Sequence, residues 1–190
     1  MKNIKLKELA LFAIMLAFMV VASKISIPIG PVPLTLQTFA VFIIALVLGK
    51  KSALLFTLYL ALGLVGLPVF STGGGISYIY MPSFGFIIGF IPASFIVGFA
   101  KDSNKIYMKY ILSSIGLIVI YLFGAVYMYL IFKYYNASPK DIITIINIGV
   151  LPFIAKDIFT AILSCIIYSR IKVVINRDSK NISFEEEIIK

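Results

Sequence analysis

The chain has 190 residues, 61% hydrophobic and 13% charged, with a formal charge of +9 and no histidine. Soluble domains carry roughly 25% charged residues, so the composition excludes an ordinary water-soluble fold and points to an all-α integral membrane protein. A single cysteine, Cys165, excludes an internal disulfide and a thiolate metal cluster, and the missing imidazole removes the commonest metal ligand and general base.

Six spans are expected, at 8–25, 36–49, 52–67, 84–100, 108–134 and 143–171, from apolar runs approaching the ~20 residues needed to cross a bilayer. The resulting six-transmembrane-helix bundle is expected to occupy 1–171, with a polar tail, frayed or as a short surface helix, over 172–190. The first run is too long and lacks the small-residue cleavage pattern of a signal peptide. Its Ala10, Ala13 and Ala17 share one helical face, and Ala13-xxx-Ala17 permits close approach of another helix. That face suits either internal packing or a partner membrane protein.

Between spans one and two lies Ile27–Thr38, IPIGPVPLTLQT, where three prolines and a glycine interrupt the helical pattern. Non-helical backbone at membrane depth is tolerated only where protein buries it or where it lines a wet cavity. Thr35, Gln37 and Thr38 supply hydrogen-bonding groups beside the break. Spans two and three are short, and short, interrupted segments often border a transporter's binding site. After span three, LPVFSTGGGISYIYMPS at 67–83 combines Gly73, Gly74 and Gly75 with Phe70, Tyr78 and Tyr80, flexible backbone beside flat apolar faces.

Basic residues gather at the N-terminus, at 50–51, over 101–109 and after 170, whereas Lys24, Lys133 and Lys140 fall on the other side. The positive-inside rule then puts both termini in the cytoplasm and the irregular connections outside. Topology and contact with anionic lipid account for the net charge without nucleic acid. The triplets at Asn136 and Asn181 match a glycosylation pattern that arises often by chance.

Asp157 is the acid expected inside a span. An intramembrane carboxylate is costly and normally pairs or faces a cavity. Its neighbour Lys156 points about 100° away on a helix, so Asp157 is read as an acceptor for ligand N–H groups, with a local ion pair as the alternative. Gln37 offers donors and an acceptor, for a ligand or for capping the broken segment. No Ser-His-Asp, Cys-His or paired-carboxylate constellation is present, nor a G-x-x-x-x-G-K-[ST] phosphate loop, so no enzyme and no cofactor is expected. The residues alone describe a bundle binding a small, partly apolar solute from outside.

Three blocks, IPIGPVPLTLQTFAVFIIALVLG, ALGLVGLPVFSTGGG and MPSFGFIIGF, in this order and spacing resemble the biotin transporter BioY family. These are substrate-binding (S) components of energy-coupling factor (ECF) transporters. The resemblance runs over about residues 8–170 and is strongest over 27–90. It implies a six-helix component of the bacterial plasma membrane that captures biotin near the outer surface. It also implies assembly with a transmembrane coupling protein and two ABC-type ATPases, with small residues of the first helix at the contact. The family's Pro-Thr-Gly-Gly-Tyr stretch corresponds to Pro82, Ser83, Phe84, Gly85 and Phe86, with departures at Phe84 and Phe86. Its Pro-Gly-Asp-x-x-Lys pattern corresponds to Ala155, Lys156, Asp157 and Thr160, so Thr160 stands where the family has lysine and Lys156 is the alternative cation.

The expected biotin-binding set is therefore Thr35, Gln37, Phe70, Gly74, Tyr78, Tyr80, Ser83, Gly85, Phe86, Asn147, Lys156 and Asp157. Ureido N–H groups suit Asp157, the carbonyl suits Gln37, the fused rings suit aromatic faces, and the carboxylate suits a lysine or hydroxyl. An S component for another vitamin, or a non-transporting membrane scaffold, are the alternatives.

Overall fold

A computed structural model describes residues 2–103, 105–135 and 139–188, with side chains described within 6–172. Helix α1 (Lys2–Lys24) leads into a two-residue ribbon, β1 (Ser26–Ile27) and β2 (Leu34–Thr35), paired antiparallel with Ser26 opposite Thr35. Pro28, Pro31 and Pro33 hold Ile27, Gly30 and Val32 out of the helical region, and Gly30 turns the ribbon with φ 63°. The interrupted segment is thus a short proline-rich hairpin across the end of the bundle.

Helices α2 (Gln37–Leu48) and α3 (Ser52–Leu64) follow, joined by a tight turn at Gly49–Lys51. Residues 37–64 form one apolar helical stretch of 28 residues, yet Gln37 Nε2 donates to the Tyr59 hydroxyl at 3.0 Å. In an unbroken helix those residues would be about 33 Å apart, so the stretch doubles back. Gly49 makes the reversal with φ 64°, and its backbone lies against Gly98, where an added Cβ would sit 2.5 Å from the Gly49 carbonyl carbon. Ser52 Oγ locks the turn, donating to Gly49 O and Ser94 O.

Helices α4 (Phe84–Gly98) and α5 (Ile106–Leu130) make the closest helix pair of the fold. Gly85 and Gly89 are spaced so that both face α5; a Cβ on Gly85 would meet Tyr127 Cβ at 2.2 Å. Helix α5 ends in a π-helical turn, Ile131–Tyr135. The glycosylation triplet at Asn136 lies outside the described residues.

The sixth expected span is not one helix. It divides into α6 (Ile142–Gly149) and α7 (Leu151–Ile188), with the break at Val150. Pro152 lacks an N–H and its ring clashes with the carbonyl four residues earlier, so the helix restarts rather than continues. The tail is not a separate short helix either: the backbone of α7 runs on to Ile188.

Among the described residues, four helical stretches are long and apolar enough to cross a membrane, at Leu6–Lys24, Gln37–Leu64, Ile106–Tyr135 and Leu151–Lys172, beside the shorter apolar α4. The core lies between α2, α3 and α4, around the fully buried Phe42, Phe56, Tyr59 and Phe70. Helix α1 is peripheral: 17% of its apolar window is buried, against 67% for the α2–α3 stretch.

Candidate binding site

Beneath the β1–β2 hairpin, a small, partly open cavity lies between the start of α2, the 71–83 connection, the first turns of α4, the middle of α5 and the start of α7. Of the expected residues, Thr35, Gln37, Tyr78, Ser83, Phe86, Lys156 and Asp157 line it together. They come from segments more than a hundred residues apart in sequence, brought together by the fold.

The polar wall is ordered by hydrogen bonds. Thr35 Oγ1 donates to Gln37 Oε1 at 3.1 Å and accepts from the Gln37 backbone N–H at 3.2 Å. Gln37 then donates to Tyr59, whose hydroxyl donates to Val69 O at 2.9 Å. Val69 O also accepts from Ser23 Oγ at 2.7 Å, and Lys24 Nζ donates to Phe70 O at 2.6 Å. Gln37 is therefore first a strut between the hairpin and α3. An amide nitrogen has two donors, which leaves one N–H beyond the bond to Tyr59.

On the opposite wall Asp157 is 3% exposed. Its Oδ2 accepts from the Tyr121 hydroxyl at 2.7 Å. Lys156 Nζ lies 2.6 Å from Oδ1 and donates to Thr35 O at 2.8 Å. The long lysine stem thus overcomes the 100° between adjacent positions, and the local ion pair is present. The ammonium approaches Oδ1 without hydrogen-bond alignment, and Oδ1 has no hydrogen-bond partner among the described residues. A buried acceptor without a donor is costly, and Asp157 is part of the cavity wall.

Thr160, in the place of the family's lysine, turns away and donates to Asp157 O at 3.1 Å. Lys156 is therefore the cation of the cavity wall.

The remaining expected residues stand elsewhere. Phe70 is buried behind the wall, packed on Tyr59 and Tyr78. Gly74 sits against Leu67 O and Gly85 against Tyr127, close approaches that only a missing side chain permits. Tyr80 is half exposed and stacks on Tyr135 with ring centres 4.3 Å apart. Asn147 is exposed on α6. Phe84 packs into the core against Phe70, Tyr78 and Tyr127, so of the two departures in that motif only Phe86 reaches the cavity.

Val32, Pro33 and Ser71 line the cavity from the two irregular segments the sequence flagged, whereas Ile87, Phe90, Ile120, Tyr121 and Phe153 carried no signal in the sequence. Phe90 and Ile120 read like any apolar position of a span. Tyr121 is one of several tyrosines along α5, and only the register of α5 against α7 selects it for Asp157. A buried acid in need of a donor was the one available clue that a hydroxyl must face it.

The chain is similar to known proteins along nearly its whole length. A family model described as the BioY family matches residues 1–177. The chain is 42% identical over 170 residues, 88% of its length and 98% of the relative's, to the probable biotin transporter BioY of Pyrococcus horikoshii. It is 36% identical over 170 residues, 88% of its length and 96% of the relative's, to the biotin transporter BioY of Thermotoga maritima. A crystal structure of the S-component for biotin from an ECF-type ABC transporter matches with a TM-score of 0.79 at 30% identity, covering 90% of this chain and 94% of that one.

Proposed function

The chain belongs to the BioY family, and from that premise we propose that it is a multi-pass plasma-membrane subunit that binds biotin with high affinity beneath the β1–β2 hairpin and serves its uptake into a bacterial cell. The observation that carries this reading is Asp157, a buried carboxylate in the cavity wall whose Oδ1 is paired with Lys156 and has no hydrogen bond. A ureido N–H is the donor it lacks, and such charge-assisted bonds are about twice as strong as neutral ones. Lys156, 2.6 Å from Oδ1, neutralises that carboxylate and stands too near it to hold the ligand's distant carboxylate as well; Phe86, Phe90 and Tyr78 flank the fused rings, and the second Gln37 N–H or the Ser83 hydroxyl meets the ureido carbonyl.

Equilibrium binding of radiolabelled biotin to the purified protein tests this. Hydrogen bonds to charged groups contribute about 1.5–3 kcal/mol, so Asp157→Asn is expected to weaken binding about 10- to 100-fold. Full affinity in that variant would overturn the assignment. Another vitamin as ligand is the second reading, favoured by Phe86 in the lining where the family motif has tyrosine. Competition of labelled biotin by other vitamins at equal concentration decides between the two.

The protein crosses the membrane six times, with the α2–α3 hairpin supplying two crossings and both termini in the cytoplasm. Lys50, Lys51, Lys101, Lys109 and Lys172 support this orientation, gathering at the end of the bundle opposite the hairpin cavity. Transport is energised by two ABC-type ATPase subunits acting through a transmembrane coupling protein. Ala10, Ala13 and Ala17 are exposed on the peripheral α1 and form the face on which that protein docks.

A further inference from the structure

Helices α5 and α7 run antiparallel, and three polar contacts cross between them in register. They are Tyr121 to Asp157, Ser113 to Cys165 at 3.5 Å, and Lys109 to Ser169 at 3.0 Å. The first belongs to the cavity; the last lies about 18 Å away along α5, at the basic end of the bundle.

Lys109 is 3% exposed. Its ammonium donates to Ser169 Oγ and sits 5.2 Å from the centre of the Tyr168 ring. Among the described residues the ion pairs are Lys51–Glu8 and Lys156–Asp157, so no described carboxylate neutralises it. Lys172, which donates to Lys101 O at 3.1 Å, adds a second positive charge within electrostatic reach. A buried cation without a counter-charge is costly in a membrane protein and marks a site where an anion belongs.

Along the same α5–α7 seam an apolar groove opens on the bundle surface, lined by Ser114, Leu117, Ile158, Ala161 and Ile162. Ile158 and Ile162 are 48% and 44% exposed. The groove begins about one helical turn from Lys109. Ser169, the hydroxyl that meets the ammonium, is only partly covered and marks the way in at the rim.

We infer that this seam binds one anionic glycerophospholipid, its phosphate on the Lys109 ammonium and an acyl chain in the groove. The two halves fix the occupant together. A neutral lipid fills the groove and leaves the ammonium without a counter-charge. A free phosphate does the reverse.

Native mass spectrometry of the purified full-length protein, released from micelles holding phosphatidylglycerol and phosphatidylcholine in equal amounts, tests the inference independently of biotin. The wild type is expected to retain phosphatidylglycerol in preference by about fivefold, the scale of one lysine against an anionic lipid. Lys109→Gln should bring the ratio to parity and Lys109→Arg should keep it. Ser114→Leu, at an exposed position in the groove, should lower retention with the lysine intact, and it decides the matter if Lys109→Gln fails to fold. Lys50→Gln, at the same end but stacked on Phe99, should change nothing. An undiminished preference in Lys109→Gln or Ser114→Leu, an equal loss in Lys50→Gln, or displacement of the lipid by millimolar inorganic phosphate would each overturn it.

Discussion

Tyr121 fixes the carboxylate of Asp157. Its hydroxyl occupies Oδ2 and leaves Oδ1 as the oxygen without a hydrogen bond, the one the proposed ligand would meet. Removing the hydroxyl leaves a second buried oxygen without a donor, at a cost of about 1–3 kcal/mol. Tyr121→Phe is therefore expected to weaken biotin binding about tenfold in an equilibrium assay, less than Asp157→Asn. A loss matching Asp157→Asn would mean that the hydroxyl itself contacts the ligand. At this scale the sequence showed the acid and not its partner. Asp157 stands out because a carboxylate in an apolar run is expensive wherever it points. Tyr121 does not, because a tyrosine satisfies lipid, interface and core alike, and nothing local distinguishes those settings. Asn147 shows the converse, a polar residue near the end of an apolar run whose side chain faces outward from α6.

The elements were legible where proline and glycine punctuate the chain. Pro28, Pro31 and Pro33 marked the hairpin, and the Gly49 turn separated α2 from α3 where the sequence placed a boundary. The break at Val150 was missed although Gly149 and Pro152 flank it, because Pro152 in an apolar stretch reads equally as a kink or a restart. Packing explains the glycines that composition cannot assign. Gly124 of α5 lies under Phe86, where a Cβ would stand 2.3 Å from the ring, and that ring lines the cavity. Gly124→Ala is thus expected to push Phe86 into the ligand's space. Overpacking of this kind costs about 1–3 kcal/mol, so biotin affinity should fall about tenfold while the variant stays monodisperse by size-exclusion chromatography. Unchanged affinity would show that the ring can retreat.

For the whole molecule, the exposed and the ordered parts divide the labour. Helix α1 is held at its ends, by Glu8 to Lys51 at 2.9 Å and by Ser23 and Lys24 on the carbonyls of Val69 and Phe70, while its middle stays exposed. Ala13→Leu enlarges that middle without touching the cavity. It is expected to leave biotin binding unchanged and to reduce co-purification of the coupling protein severalfold, as loss of close helix approach requires. Retained co-purification would place the docking face elsewhere. The α2–α3 reversal has a consequence for distance. Gln37 lines the cavity and opens α2; the turn at Gly49–Lys51 closes α2 at the basic end. Between them lie only about 18 Å of helix, against a hydrocarbon core of about 30 Å. A solute seated at Gln37 would therefore be separated from the basic end by only the length of one short helix, about three-fifths of a hydrocarbon core.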